Sequence, residues 1–231
     1  MSTSVCLVTC SRNRGDSAKF YDSFTANGLE VTTRYEATAR DSIGEGFNEA
    51  IGTDGFGLRN NPVSAELYCF THDDVTMWTG PKLWNAALEL AAKPDTGFVG
   101  VAGATSLGPD CVWWQAPDKR GAVAHQSEGL QYMSFFGPYG RALVLDGVLL
   151  IASRRCLEAI GPWPEDLGWH FYDIAMTLRA HCAGFKNYVV PLPILHGSVG
   201  QIGDDWQRSR MLFRKKYVGA LPVALEHVAH A

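Results

Sequence analysis

Residues 67 to 75 run Leu-Tyr-Cys-Phe-Thr-His-Asp-Asp-Val, and the apolar stretch stops abruptly at three groups able to hold a hard divalent cation. That junction constrains the fold more than any other segment. A short unbroken apolar run suits a strand buried on both faces, as in a parallel sheet covered by helices. Its polar end then lies at the carboxyl edge of the sheet, where open α/β folds place their ligand crevice. Carboxylates there could hold a metal against a phosphorylated substrate without entering the core. Aspartates also favour turns, so the pair on its own fits a plain turn as well.

Alternation surrounds the junction. Val5 to Cys10 reads as a strand, residues 11 to 16 as a polar loop, and Phe20 and Phe24 as one face of a helix ended by Asn27-Gly28. Leu29 to Tyr35 is predicted as a second strand, and Ile43, Phe47, Ala50 and Ile51 recur at helical spacing. A Gly/Asn/Pro loop over 52–64 precedes the 67–71 strand, Pro81 opens a helix through residue 92, and Gly97 to Ala102 forms another strand. Strands alternating with helices imply an α/β fold around a mostly parallel central sheet.

Residues 103 to 141 show no clear period and hold many Gly and Pro residues with Trp113-Trp114 and Phe135-Phe136. They read as a long irregular segment whose aromatic rings either stack on a ligand or pack the loop down. Ala142 to Ala152 is predicted as a strand region interrupted by Asp146-Gly147, where an aspartate needs a partner or a cavity and glycine permits close approach by a ligand. Over 169–184 a helical wheel puts Phe171, Ile174, Ala175, Leu178 and Cys182 on one face and Asp173 almost opposite, away from the core. An acid in a first turn is favoured by the helix dipole and could equally serve as a general base.

The chain has 231 residues, 46% hydrophobic and 19% charged, which suits one globular domain with a sizeable core. A formal net charge of -4 gives no bulk attraction to nucleic acid or anionic membranes. The six cysteines, Cys6, Cys10, Cys69, Cys111, Cys156 and Cys182, are scattered without zinc-type spacing and read as reduced, mostly buried thiols. Neither a signal peptide nor a spanning helix is evident, so a cytoplasmic location is the default expectation.

Four pieces occur in order: Phe70-Thr71-His72-Asp73-Asp74-Val75, Val144-Leu145-Asp146-Gly147, His170-Phe171-Tyr172-Asp173 and His196-Gly197-Ser198. In this combination the chain resembles GT-A glycosyltransferases of the family 2 type, and more narrowly their StrF-type branch named after streptomycin biosynthesis, over residues 4 to 217. The resemblance implies a single catalytic domain over 1–217, with a nucleotide-sugar-binding half (1–102), an acceptor-binding half (103–217) and a tail (218–231). It puts His72-Asp73-Asp74 in the place of the D-x-D signature, with Asp74 the metal-binding member, His72 replacing the first aspartate and His196 a third ligand of Mn²⁺ or Mg²⁺. Asp173 matches the catalytic base of inverting members, with Tyr172 in place of a glutamate.

On the same footing, Thr9, Ser11, Arg12, Asn48, Asp73, Asp146 and Gly147 are assigned to a UDP- or GDP-sugar, and Trp113, Trp114, Trp169 and His170 to the acceptor. The acceptor hydroxyl could belong to a saccharide, a natural product or a modified nucleobase. The basic run Arg208, Arg210, Arg214, Lys215 and Lys216 reads as a solvated helix face or a diphosphate clamp. Two other functions fit the same residues: a nucleotidyltransferase, and a catalytically silent carbohydrate- or nucleotide-binding module.

Overall fold

Side chains alternate across β1 (Val5–Ser11), which sends Val5 and Leu7 into one apolar core and Cys6 and Val8 into another. A strand buried on both faces must be central to a layered domain, and this one is. The computed structural model describes residues 3–11, 17–38, 40–52, 64–127, 129–198, 200, 202–217 and 223–225. After β1 come α1 (Ala18–Ala26), β2 (Thr33–Thr38), α2 (Ile43–Ile51), β3 (Leu67–Thr71), β4 (Val75–Met77) and α3 (Pro81–Ala91). Next are β5 (Thr96–Gly100), β6 (Ala102–Ala104), β7 (Ser106–Leu107), β8 (Lys119–Ser127), β9 (Leu130–Gly137), β10 (Gly140–Ala142) and β11 (Val144–Leu145). The chain continues through β12 (Leu149–Ser153), α4 (Arg154–Ile160), α5 (Tyr172–Cys182), β13 (Lys186–Val189), β14 (Ile194–His196), α6 (Asp204–Tyr217) and β15 (Val223–Ala224).

Local chemistry explains the helix limits. Ser42 caps α2 by accepting from Glu45 N at 3.0 Å, and Gly52 ends it in the left-handed region at φ 73°. Pro81 stands in the first turn of α3, where its missing N–H costs nothing.

Seven strands form the main sheet in the order β10-β13-β5-β12-β3-β1-β2, and a second sheet runs β11-β6-β8-β14-β4 with β9 on β8. The mostly parallel sheet expected from the alternation is corrected here to a mixed one. β1 is parallel to β2 and β3, and β13 to β5, but β12 runs antiparallel between β3 and β5, and β10 antiparallel to β13. The 142–152 strand region divides into the end of β10, then β11 in the second sheet, then β12 in the first. The 103–141 stretch is not irregular: about half of it is the β8/β9 hairpin, whose outer strand is exposed on both faces and so carries no amphipathic period. The second predicted strand begins at Thr33 rather than Leu29. In the tail, Val223–Ala224 pairs with β7.

The wheel drawn for α5 also needs correction. Ile174, Ala175 and Leu178 join one core while Tyr172, Met176 and Ala180 join the other, so the helix is wedged between them and buried almost all round. Phe171 is not in the helix but caps it at φ 58°, and Cys182 is exposed while the other five thiols are buried. A left-handed non-glycine residue costs on the order of 1 kcal/mol or more. Packing of the Phe171 ring on Trp206 and Phe213, with centroids at 5.1 and 5.6 Å, offsets it.

Asn187 ties these parts together from the interior. Its Oδ1 accepts from Phe98 N at 3.0 Å, and its Nδ2 donates to the carbonyls of Leu143 and Thr177 at 2.8 Å each. One amide thus joins β5, α5 and the segment leading to Asp146. Asn187→Ala strips three buried backbone groups and is expected to lower unfolding free energy by about 3 kcal/mol or more, seen as a lower urea midpoint at unchanged slope.

Candidate functional site

Four chain segments meet at the carboxyl end of β3. Because β12 is antiparallel to β3, the turn before it lies over that end: Thr71 Oγ1 donates to Val148 O at 2.8 Å. β4, starting one residue after Asp74, pairs with β14 so that Val75 faces His196, and Gly197 N donates to Asp74 O at 2.9 Å. The first residues of α5 supply the fourth side.

His72, Asp74 and His196 converge. Nδ1 of His72 is 3.1 Å from Nε2 of His196, which is 3.3 Å from Asp74 Oδ1 and 3.3 Å from Ser198 Oγ. Among the described residues these three offer ligand atoms that all lie within 4.8 Å of one another. Asp74 Oδ1 is buried, with His196 Nε2 beside it at 3.3 Å. Burial pushes the Asp74 carboxyl up, but His196, His72 and Ser198 outweigh it and hold the group at about 2. Burial pulls His196 down, yet the hydrogen bond and charge of Asp74 leave it raised. Burial and the neighbouring His196 pull His72 down to about 4, so it is the neutral member of the pair.

On the other side of His72, its Nε2 is 2.9 Å from the Tyr172 hydroxyl. Asp173 follows immediately, its Oδ2 accepting from Gly147 N at 2.6 Å and its Oδ1 from its neighbour Ile174 N at 2.9 Å. Burial, then the charge of Asp146, raises Asp173 from 3.8 to about 7. Asp146 is itself fixed, Oδ1 accepting from Val148 N at 2.9 Å and Oδ2 from the indole N–H of Trp113 at 3.1 Å. Asp173 faces away from both apolar cores, as the wheel predicted, and sits half-buried at the rim of a cleft beside a second carboxylate.

That cleft has a volume of about 2060 Å³ and is lined by His72, Asp73, Asp74, Asp146, Asp173 and His196 together. Trp114, Trp169 and His170 line it as well. Trp113 also borders it, but the side chain is buried at 4% exposure and its polar edge is committed to Asp146, so it is no open stacking platform. Two residues assigned to the nucleotide lie elsewhere. Thr9 is buried with its hydroxyl on Tyr21 at 3.1 Å, and Asn48 clamps α2 to Trp163 and Glu165 through three hydrogen bonds. Ser11 is buried at the end of β1, its Oγ without a hydrogen-bond partner, and Arg12 lies outside the described residues. In the basic run, Lys216 pairs with Asp166, Arg208 with Asp205, and Arg210 sits 5.6 Å over the Trp206 ring.

The reading of the sequence missed His125. It is the register partner of His196 on β8, its ring 5.8 Å away, and its Nδ1 is buried without a hydrogen-bond partner. Tyr132 stacks on it at 5.3 Å from β9.

A solved structure of GalNAc-T7 with UDP, GalNAc and Mn²⁺ superposes with a TM-score of 0.56 at 9% identity, over 89% of this chain and 44% of that one. The chain thus spans less than half the length of that relative. The A197 protein of STIV gives a TM-score of 0.47 at 12% identity, over 87% and 98%. No match is found among curated proteins. The fold is that of the GT-A glycosyltransferases. The chain belongs to the glycosyltransferase-like family, whose model matches residues 15–217. No helix among the described residues is long and apolar enough to cross a membrane.

The raised Asp173 carboxyl has a signature in stability. The folded chain keeps its proton to about pH 7, whereas the unfolded chain loses it near 3.8, so this group's contribution falls as pH rises through that window. Asp173→Asn cannot ionise. In EDTA, its melting temperature relative to the native protein is expected to be higher at pH 8 than at pH 5; an equal difference at both pH values would place the carboxyl in an ordinary environment.

Proposed function

We propose that this protein transfers a sugar from a nucleotide-diphosphate donor to an acceptor hydroxyl with inversion, using a divalent cation at His72, Asp74 and His196 and Asp173 as base. The observation that carries the reading is the opening of both groups into one cleft. Two imidazoles with one carboxylate suit Mn²⁺, which accepts nitrogen beside oxygen, better than the more oxygen-demanding Mg²⁺. A bound cation would neutralise the charge that develops on the departing diphosphate. That GalNAc-T7 was solved with UDP and Mn²⁺ supports a uridine nucleotide and this metal here. The pairing of His72 with two aspartates, and of Tyr172 with Asp173, supports the StrF-type branch.

Asp173 suits a general base because its carboxyl titrates near neutrality, where the ionised form and proton affinity are balanced. Hydrogen bonds from Gly147 N and Ile174 N fix its orientation. Asp146, anchored by Trp113 and Val148, raises the basicity of Asp173 and offers an oxygen edge to the donor sugar. Trp114 and Trp169 on the cleft wall support a saccharide acceptor, since flat rings stack on sugar faces.

Melting temperature with UDP-sugars and GDP-sugars, with and without Mn²⁺, tests the donor and metal directly. A Mn²⁺-linked rise is expected for the native chain and none for Asp74→Asn. Asp173→Asn is expected to keep that rise but lose about 10²-fold or more in transfer rate. NMR of the product should show the inverted anomer; retained configuration would remove the base role.

A further inference from the structure

Tyr172 has no role in the proton transfer or cation contacts described above, yet its hydroxyl is buried beside both. Resting on the proposed metal site, we infer that Tyr172 is a positioning residue: it accepts a hydrogen bond from His72 Nε2–H and so turns the unprotonated Nδ1 toward the cation position. Gly147 is glycine to leave room for that hydroxyl.

The hydrogen-bond directions follow from counting protons. His196 Nε2 lies 3.3 Å from Asp74 Oδ1, a carboxylate oxygen that can only accept, so it carries a proton; His72 Nδ1 lies 3.1 Å and Ser198 Oγ 3.3 Å from the same nitrogen. Its nearest neighbour, His72 Nδ1, must then present a lone pair. A neutral imidazole has one N–H, which places that of His72 on Nε2, 2.9 Å from the Tyr172 oxygen. The arrangement matches the general finding that a ligand imidazole is oriented by the partner of its other nitrogen.

Gly147 supplies an independent observation. A Cβ built there would overlap the Tyr172 hydroxyl, lying 2.8 Å from its Cζ and 3.0 Å from Asp173 Cβ. The residue is not in the left-handed region that alone would call for glycine. Space for Tyr172 is therefore what a side chain at 147 would take away.

The test uses the full chain stripped with EDTA and Mn²⁺ alone as probe. Titration followed by electron paramagnetic resonance is expected to show Mn²⁺ binding by the native chain and about 10- to 100-fold weaker binding by Tyr172→Phe. Gly147→Ala should weaken it in the same direction. Long-range ¹H–¹⁵N NMR of the metal-free native chain should show His72 protonated on Nε2, with Tyr172→Phe shifting protons to Nδ1. A role confined to packing would lower melting temperature but leave affinity and tautomer unchanged. Undiminished Mn²⁺ binding by Tyr172→Phe, or a native His72 protonated on Nδ1, overturns this inference alone. Failure of the native chain to bind Mn²⁺ overturns the metal site and this inference with it. Should Tyr172→Phe not fold, the native tautomer decides.

Discussion

The antiparallel insertion of β12 between β3 and β5 is the constraint on which the site depends. A parallel strand there would start at the opposite edge of the sheet and carry Asp146-Gly147-Val148 away from His72. Running backwards, it lays that turn across the end of β3 and puts the Gly147 amide against Asp173. The pairing of β14 with β4 then brings His196 to Asp74. A chemistry that needs groups from residues 72 to 196 is assembled by two strand directions and one turn. Asn187 locks the assembly from beneath, with both ends of its amide spent on backbone.

Much of this was legible in the residues themselves. The break at His72-Asp73-Asp74 marked the carboxyl edge, and the order of four short segments named the family and brought Asp74, Asp173 and His196 into one account. What escaped were features set by partners distant in sequence. Nothing local shows that β12 reverses, because an apolar strand reads alike in either direction. β9 gave no period because neither face is buried, and His125 was lost with it. Trp113 and Asn48 look like ligand contacts by type; their polar atoms are taken by Asp146 and by the 163–165 segment.

The electrostatics of the cleft divide it into two halves of opposite character. Around Asp74 and His196 an acid is held low and an imidazole high, a pair suited to exchange its shared proton for a cation. Around Asp173, burial and the charge of Asp146 raise one carboxyl to about 7. His72 and Tyr172 lie between the two, joined at 2.9 Å.

The wedging of α5 between two cores bears on how such an enzyme can change its substrates over time. The wall carrying Asp173 is welded to the interior and cannot drift without loss of folding. The facing wall includes the outer strand of the hairpin, where Tyr132, at 47% exposure, and Ser134 line the cleft. Replacements there touch little that the fold requires. Change in what the cleft admits should therefore accumulate on that strand, while Asp173 stays fixed on the other side.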